Sequence, residues 1–190
     1  MQKKFLDNFY DVLFVPEHAF DDLNNNPNVK QGLRIVVFIS ILSYLLHMKF
    51  PSDIGAIALT TFRILALSFS GIISWIIFAA FLEMVAAIFK KNGKLKELLT
   101  LTAFALAPWI FLAPIELFRT TNFISNFVGI LLSLIVWLWT TVLIVVSVMK
   151  AYNLSLGRTL VLLVLPFAGG IIAFNWIVGF FATLGGILGV

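Results

Sequence analysis

In "ILALSFSGIISWIIFAAFLEMVAAIF" (64–89) one residue of the twenty-six, Glu83, carries a charge. At 1.5 Å per residue a helix of this stretch outspans the ~30 Å hydrocarbon core of a bilayer. Four further apolar runs lie at roughly 32–50, 97–118, 124–149 and 159–182, each about 19–26 residues and long enough to cross. The whole chain of 190 residues is 61% hydrophobic and 12% charged, with a mean hydropathy of +1.06. Soluble domains hold about 45–50% apolar and about 25% charged residues, so water is the wrong solvent for this one. In hydrocarbon the main chain must satisfy its own polar groups, which makes the runs helices; no two-residue alternation suggests barrel strands. The expectation is an all-α integral membrane protein, a bundle of five transmembrane helices over 32–190 with a short amphipathic segment over 1–31.

Charge predicts the orientation. Ten of the thirteen Lys and Arg residues fall on the side of the N-terminus, among them Lys3, Lys4, Lys30, Arg34, Lys90, Lys91, Lys94, Lys96, Lys150 and Arg158. The other side holds Lys49, Arg63 and Arg119. Positive loops stay inside, so the N-terminus is expected in the cytoplasm and the C-terminus outside. The net charge of +4 is read as a topology signal, which removes nucleic acid as a partner. Without cysteine there is no disulfide framework, thiolate nucleophile or Cys-ligated metal. The acids of "MQKKFLDNFYD" (1–11) interrupt any signal-peptide core.

The lead-in to the first run is punctuated. In "FLDNFYDVLFV" (5–15) Asp7, Asn8 and Asp11 share one helical face and Phe5, Leu6, Phe9, Val12 and Leu13 take the rest, the pattern of an interfacial helix. Pro16 suits the first turn of a second helix, with Ala19, Phe20 and Leu23 on one face and "NNN" (24–26) ending it. Asn26 and Pro27 are read as N-cap and first residue of the helix that runs into the first span.

"PEHAFDDLNNNP" (16–27) resembles the P-x-x-A-F-x-x-L…P lead-in of the Yip domain family, named for eukaryotic membrane proteins that interact with Ypt/Rab GTPases. The motif positions here are Pro16, Phe20 and Pro27. "KKNGKLKELLTLTAFALAP" (90–108) is similar to the family's glycine-containing loop, the start of its third span and the proline that follows, through Gly93 and Pro108. "WLWTTVLIVVSVMKAYNLSLGRTL" (137–160) is similar to its tryptophan-bearing fourth span and the turn after it. The resemblance implies five spans, a cytosolic N-terminus and an outward C-terminus. The short soluble lead and Ala103-Phe104, where many members have Gly-Tyr, fit a compact bacterial-type member and argue against a Rab-type GTPase as partner.

Chemistry-bearing residues are few. Glu83, deep in the second run, is costly in hydrocarbon and a functional candidate by default; pairing with Lys90 is the plainer reading. Glu116 and Arg119 are spaced to pair on one helix, and Arg63 is expected to pair with Asp53 in the outer loop. Asn175 is read as a polar tie between helices. Gly169 with Ala173, and Gly185 with Gly189, are small-residue pairs suited to close helix contact. Pro108, Pro114 and Pro166 should break or kink their helices. Trp75, Trp109 and Trp137 lie mid-span and are expected inside the bundle, where their N–H groups find partners. Lys90, Lys91, Lys94 and Lys96 are candidate contacts for anionic lipid. His18 and His47 are expected on opposite sides, so no metal pair or shared acid–base site forms, and no cofactor is expected. No catalytic motif is present.

The family resemblance implies a non-enzymatic membrane scaffold or adaptor whose partners are the lipid bilayer, other integral membrane proteins and, in one arrangement, further copies of the chain. A small transporter or channel subunit is the alternative, with Glu83, the kinked third span and Asn175 lining a polar path. An intramembrane enzyme is a distant third. The expected location is the bacterial cytoplasmic membrane, or an endomembrane in a eukaryote.

Overall fold

The computed structural model describes residues 5–47, 54–91, 93–119 and 123–165. Within them the chain is helical and no strand occurs. The elements are α1 (Phe5–Phe14), α2 (Pro16–Asn25), α3 (Val29–His47), α4 (Ile54–Ile88), α5 (Leu95–Ala105), a 3-10 turn (Ala107–Phe111), α6 (Leu112–Phe118) and α7 (Phe123–Tyr152). A further apolar helix, α8 (Leu156–Leu165), follows.

Among the described residues three stretches are long and apolar enough to cross a membrane: Ala58–Ile88, Leu95–Phe118 and Ile124–Tyr152. The first and fifth runs are seen in α3 and α8 only as far as His47 and Leu165, so five crossings depends on residues outside the described ones.

The helices start and stop for local reasons. Pro16 opens α2, where a missing N–H costs nothing. Ala19, Phe20 and Leu23 form the buried face that their spacing predicts. The expected cap of α3 is corrected. Asn26 instead closes α2, its N–H donating to the Asp22 carbonyl at 3.0 Å. The α3 N-cap is Asn28, whose Oδ1 accepts the Gln31 N–H at 3.2 Å. That N–H is the third-residue donor an N-cap serves, and Pro27 lies in the link between helices.

α4 is also longer than its most apolar run. It holds 35 residues, and Arg63, expected in a loop, stands inside it, because no proline interrupts Ile54–Arg63. The proposed partner Asp53 lies outside the described residues. Proline breaks the third span as expected. α5 stops at Ala105, Pro108 is the second residue of the 3-10 turn, and Pro114 sits in the first turn of α6, where no donor is required. Pro166 lies outside the described residues.

α5 is the centre of the packing. Leu98 and every residue from Thr100 to Ala105 are buried among α3, α4, α7 and α2. One continuous core joins Val12 and Leu13 of α1 and Phe20 of α2 to Ile35, Leu82, Leu101, Phe104, Leu143 and Tyr152. The outer faces of α4 and α7 are different. Phe62, Phe69, Ile77 and Met84 on one, and Ile124, Leu134 and Val142 on the other, face outward. Lipid is the solvent that makes such a surface tolerable.

Apolar attraction does little between helices in lipid, so close packing of small residues must do more. Gly32 of α3 lies against α5: a Cβ placed there would stand 3.0 Å from the Ala103 Cβ. Gly71 of α4 faces Ser40 of α3, and a Cβ there would run into the serine hydroxyl. Several buried hydroxyls are satisfied within their own helices, as with Thr102 to the Leu98 carbonyl (2.7 Å) and Thr140 to the Val136 carbonyl (2.9 Å).

Gly32→Val should therefore force α3 from α5 and lower thermal stability in detergent by about 1–3 kcal/mol. Gly157→Ala, whose methyl meets no atom within 4 Å, should melt like the wild type. Equal melting of both variants would contradict the packing described.

Candidate functional site around Glu83

Glu83 stands five residues before the end of α4, and the chain beyond it folds back onto it. Lys90 has φ +56°, and the Lys91 N–H reaches the Ala86 carbonyl at 3.1 Å, which closes α4 with a left-handed cap. Gly93 follows at φ +79°, a value glycine adopts without a Cβ penalty. The reversal aims two main-chain N–H groups at the carboxylate. Oε1 accepts from Gly93 N and from Lys94 N, the latter at 3.0 Å. Oε2 accepts from the phenol of Tyr152, the last residue of α7.

The pairing of Glu83 with Lys90 is thereby corrected. Seven residues apart on one helix they would share a face, but Lys90 is the residue at which the helix ends and the backbone turns left-handed. Among the described residues the carboxylate has neutral donors and no ion pair with Lys90. It also performs a cap. Lys94 is the N-cap residue of α5 and has no side-chain cap hydrogen bond; Glu83 of α4 takes its N–H, at the helix end that favours negative charge. Three elements thus meet on one side chain: the end of α4, the start of α5 and the end of α7.

The same end of the bundle carries a second tie. Lys150 Nζ on α7 lies 2.7 Å from Asp21 Oδ2 on α2. α7 ends as α4 does, with Asn153 at φ +51° and the Leu154 N–H on the Met149 carbonyl at 3.2 Å. Lys90, Lys91 and Lys96 are exposed around the clasp, while Lys94 is half-buried.

Other candidates are placed as follows. Glu116 and Arg119 pair at 2.6 Å, as their spacing predicts, and Arg119 Nε also donates to Asn126 Oδ1 on α7 at 3.3 Å. The Arg119 stem passes over Gly129, where a Cβ would collide with it. Trp75 is buried and donates from Nε1 to Thr102 Oγ1 at 3.2 Å, as expected. Trp109 is half-buried, and its indole nitrogen has no partner among the described residues. Trp137 is corrected: it is 57% exposed and packs on Trp109 with ring centroids 5.7 Å apart. α7 turns that position outward, and the tilted ring pair on the 3-10 turn replaces burial. Phe111 and Trp139 stack beside it at 6.0 Å. His18 lies 3.8 Å from Asp22. No cluster of three or more His, Asp or Glu residues suited to a metal occurs among the described residues. Asn175 and the glycine pairs of the last run lie outside them.

Tyr152, Asp21 with Lys150, and the Asn8–Gln31 hydrogen bond (3.1 Å) were not evident from the sequence. They join residues far apart in the chain, and no local spacing announces them.

Apolar outer faces, helices throughout the described residues and a bundle closed at one end by a half-buried polar clasp define a multi-pass helical membrane protein. Residues 10–177 match the Yip1 domain. That covers most of the chain, and the protein belongs to the Yip1 family, which is not an enzyme family. No curated protein and no solved structure matches the chain.

Two substitutions weigh the clasp. Tyr152→Phe removes one donor from Glu83 and should cost about 1–3 kcal/mol. Gly93→Ala should cost roughly 1–2 kcal/mol from backbone conformation alone, since the new methyl meets no atom within 4 Å. Denaturant unfolding in micelles measures both.

Proposed function

We propose that this protein is a non-enzymatic integral membrane scaffold or adaptor. It spans the bilayer five times, with residues 1–31 as a cytoplasmic amphipathic collar and the C-terminus outside. It works in a bacterial cytoplasmic membrane and associates with other integral membrane proteins or with copies of itself.

The observation that carries this reading is the state of Glu83. A carboxylate on a proton or ion path has to be open to the passing species. This one has both oxygens occupied by donors of its own chain, at a junction of three helix ends. Such a group fixes a shape. The membership of the chain in a family without enzymes supports the same conclusion, as does the uneven distribution of its cations between the two ends.

Purified protein in liposomes carrying a pH-sensitive dye should conduct protons under an applied potential no faster than empty liposomes. Crosslinking in native membranes should return a recurrent membrane-protein partner or a homo-oligomer. A proton flux present in wild type and abolished by Glu83→Gln would replace the scaffold with a transporter. A tag on Val190 protected by the same compartment as one on Met1 would overturn the orientation.

A further inference from the structure

Between α1 and α3 lies a cleft of about 400 Å³. α1 contributes Phe5, Leu6 and Phe9, α3 contributes Ile35 and Phe38, and Ile110 enters from the 3-10 turn. The one charged group in the lining is Arg34, which is exposed and pairs with no carboxylate among the described residues. α1 is held across the opening at two points. Asn8 Nδ2 donates to Gln31 Oε1 at 3.1 Å, and the Phe5 ring packs on Phe104 with centroids 6.3 Å apart. The space is left between them.

We infer that this cleft binds one anionic phospholipid, its acyl chain lying between α1 and α3 and its phosphate on Arg34. The chamber is aromatic and aliphatic, so it accepts hydrocarbon and offers nothing to a polar solute. Its volume falls within the ~300–1,000 Å³ of small-ligand pockets. With a methylene given about the ~30 Å³ share of a liquid water, it holds roughly a dozen of them, much of an acyl chain. Charge decides the headgroup. A guanidinium presents paired N–H donors that match a phosphate, and no acid in the lining competes for it. Arg34 is the sixth residue of α3, and its long stem can keep the head at the membrane surface while the chamber lies below it. A bound chain would complete the contact between α1 and the first apolar helix.

The test uses the full-length protein in liposomes of phosphatidylcholine doped with either phosphatidylglycerol or further phosphatidylcholine, each dopant bearing a diazirine in its acyl chain. After irradiation, peptide mapping should place phosphatidylglycerol crosslinks on residues 5–9, 35–38 and 110, with far less from phosphatidylcholine. Arg34→Gln should cut the phosphatidylglycerol signal about fivefold. Arg34→Lys should retain part of it. Leu6→Trp, which fills the chamber from an exposed position, should suppress crosslinks there with Arg34 intact. Arg158→Gln, an exposed cation outside the cleft, should leave this labelling unchanged. Equal labelling by both lipids, labelling confined to the outer faces of α4 and α7, or an Arg34→Gln protein labelled as strongly as wild type would overturn the inference.

Discussion

A main chain surrounded by hydrocarbon has no water to complete its hydrogen bonds, and each unsatisfied group there costs several kcal/mol. That constraint organises this protein. It makes the apolar runs helices, sends the hydroxyls of Thr102 and Thr140 back to their own carbonyls, and requires an arrangement at every helix end. α4 and α7 solve their C-terminal ends alike, with left-handed residues at Lys90 and Asn153. The N-terminal end of α5 is the exposed problem, since Lys94 brings no side-chain acceptor to it. Glu83 reaches from α4 to take the Lys94 N–H, and Tyr152 of α7 occupies the other oxygen.

One carboxylate therefore does three structural jobs at once: it takes the N–H at the start of α5, holds the turn after α4 and fastens α7. The Lys150–Asp21 pair ties α2 to the same end. The central helix α5 is then enclosed by α3, α4 and α7, with Gly32 permitting the close approach of α3 to α5 and Gly71 that of α4 to α3. At the far end Arg119 gathers Glu116 and Asn126. A bundle pinned at both ends, with wide apolar faces on α4 and α7, is the shape on which the proposed scaffold role rests.

Much of this was legible in the residues. The apolar runs, the helical punctuation at Pro16 and Pro108, the Glu116–Arg119 pair, the inward Trp75 and the family itself each follow from local pattern. What was misread depends on where a helix ends. Asn26 and Asn28 are equally good caps by type, and only the hydrogen bond to Gln31 tells them apart. Lys90 sits at a plausible pairing distance along an unbroken helix, yet the helix stops at Ile88. Trp137 points outward because the rotation of α7 against the 3-10 turn is a tertiary matter. Tyr152, the most telling partner of Glu83, is 69 residues away in sequence and carries no local mark.

The claim at the centre is that Glu83 and Tyr152 act on each other to hold the bundle. A double-mutant cycle with Glu83→Gln, Tyr152→Phe and the two combined, read by equilibrium unfolding in mixed micelles, measures that interaction directly. Groups in direct contact couple by about 0.5–3 kcal/mol, so the double variant should lose less than the two single losses added together. Strict additivity would mean that the phenol and the carboxylate do not hold each other, and the clasp would fail as an account of how this bundle is closed.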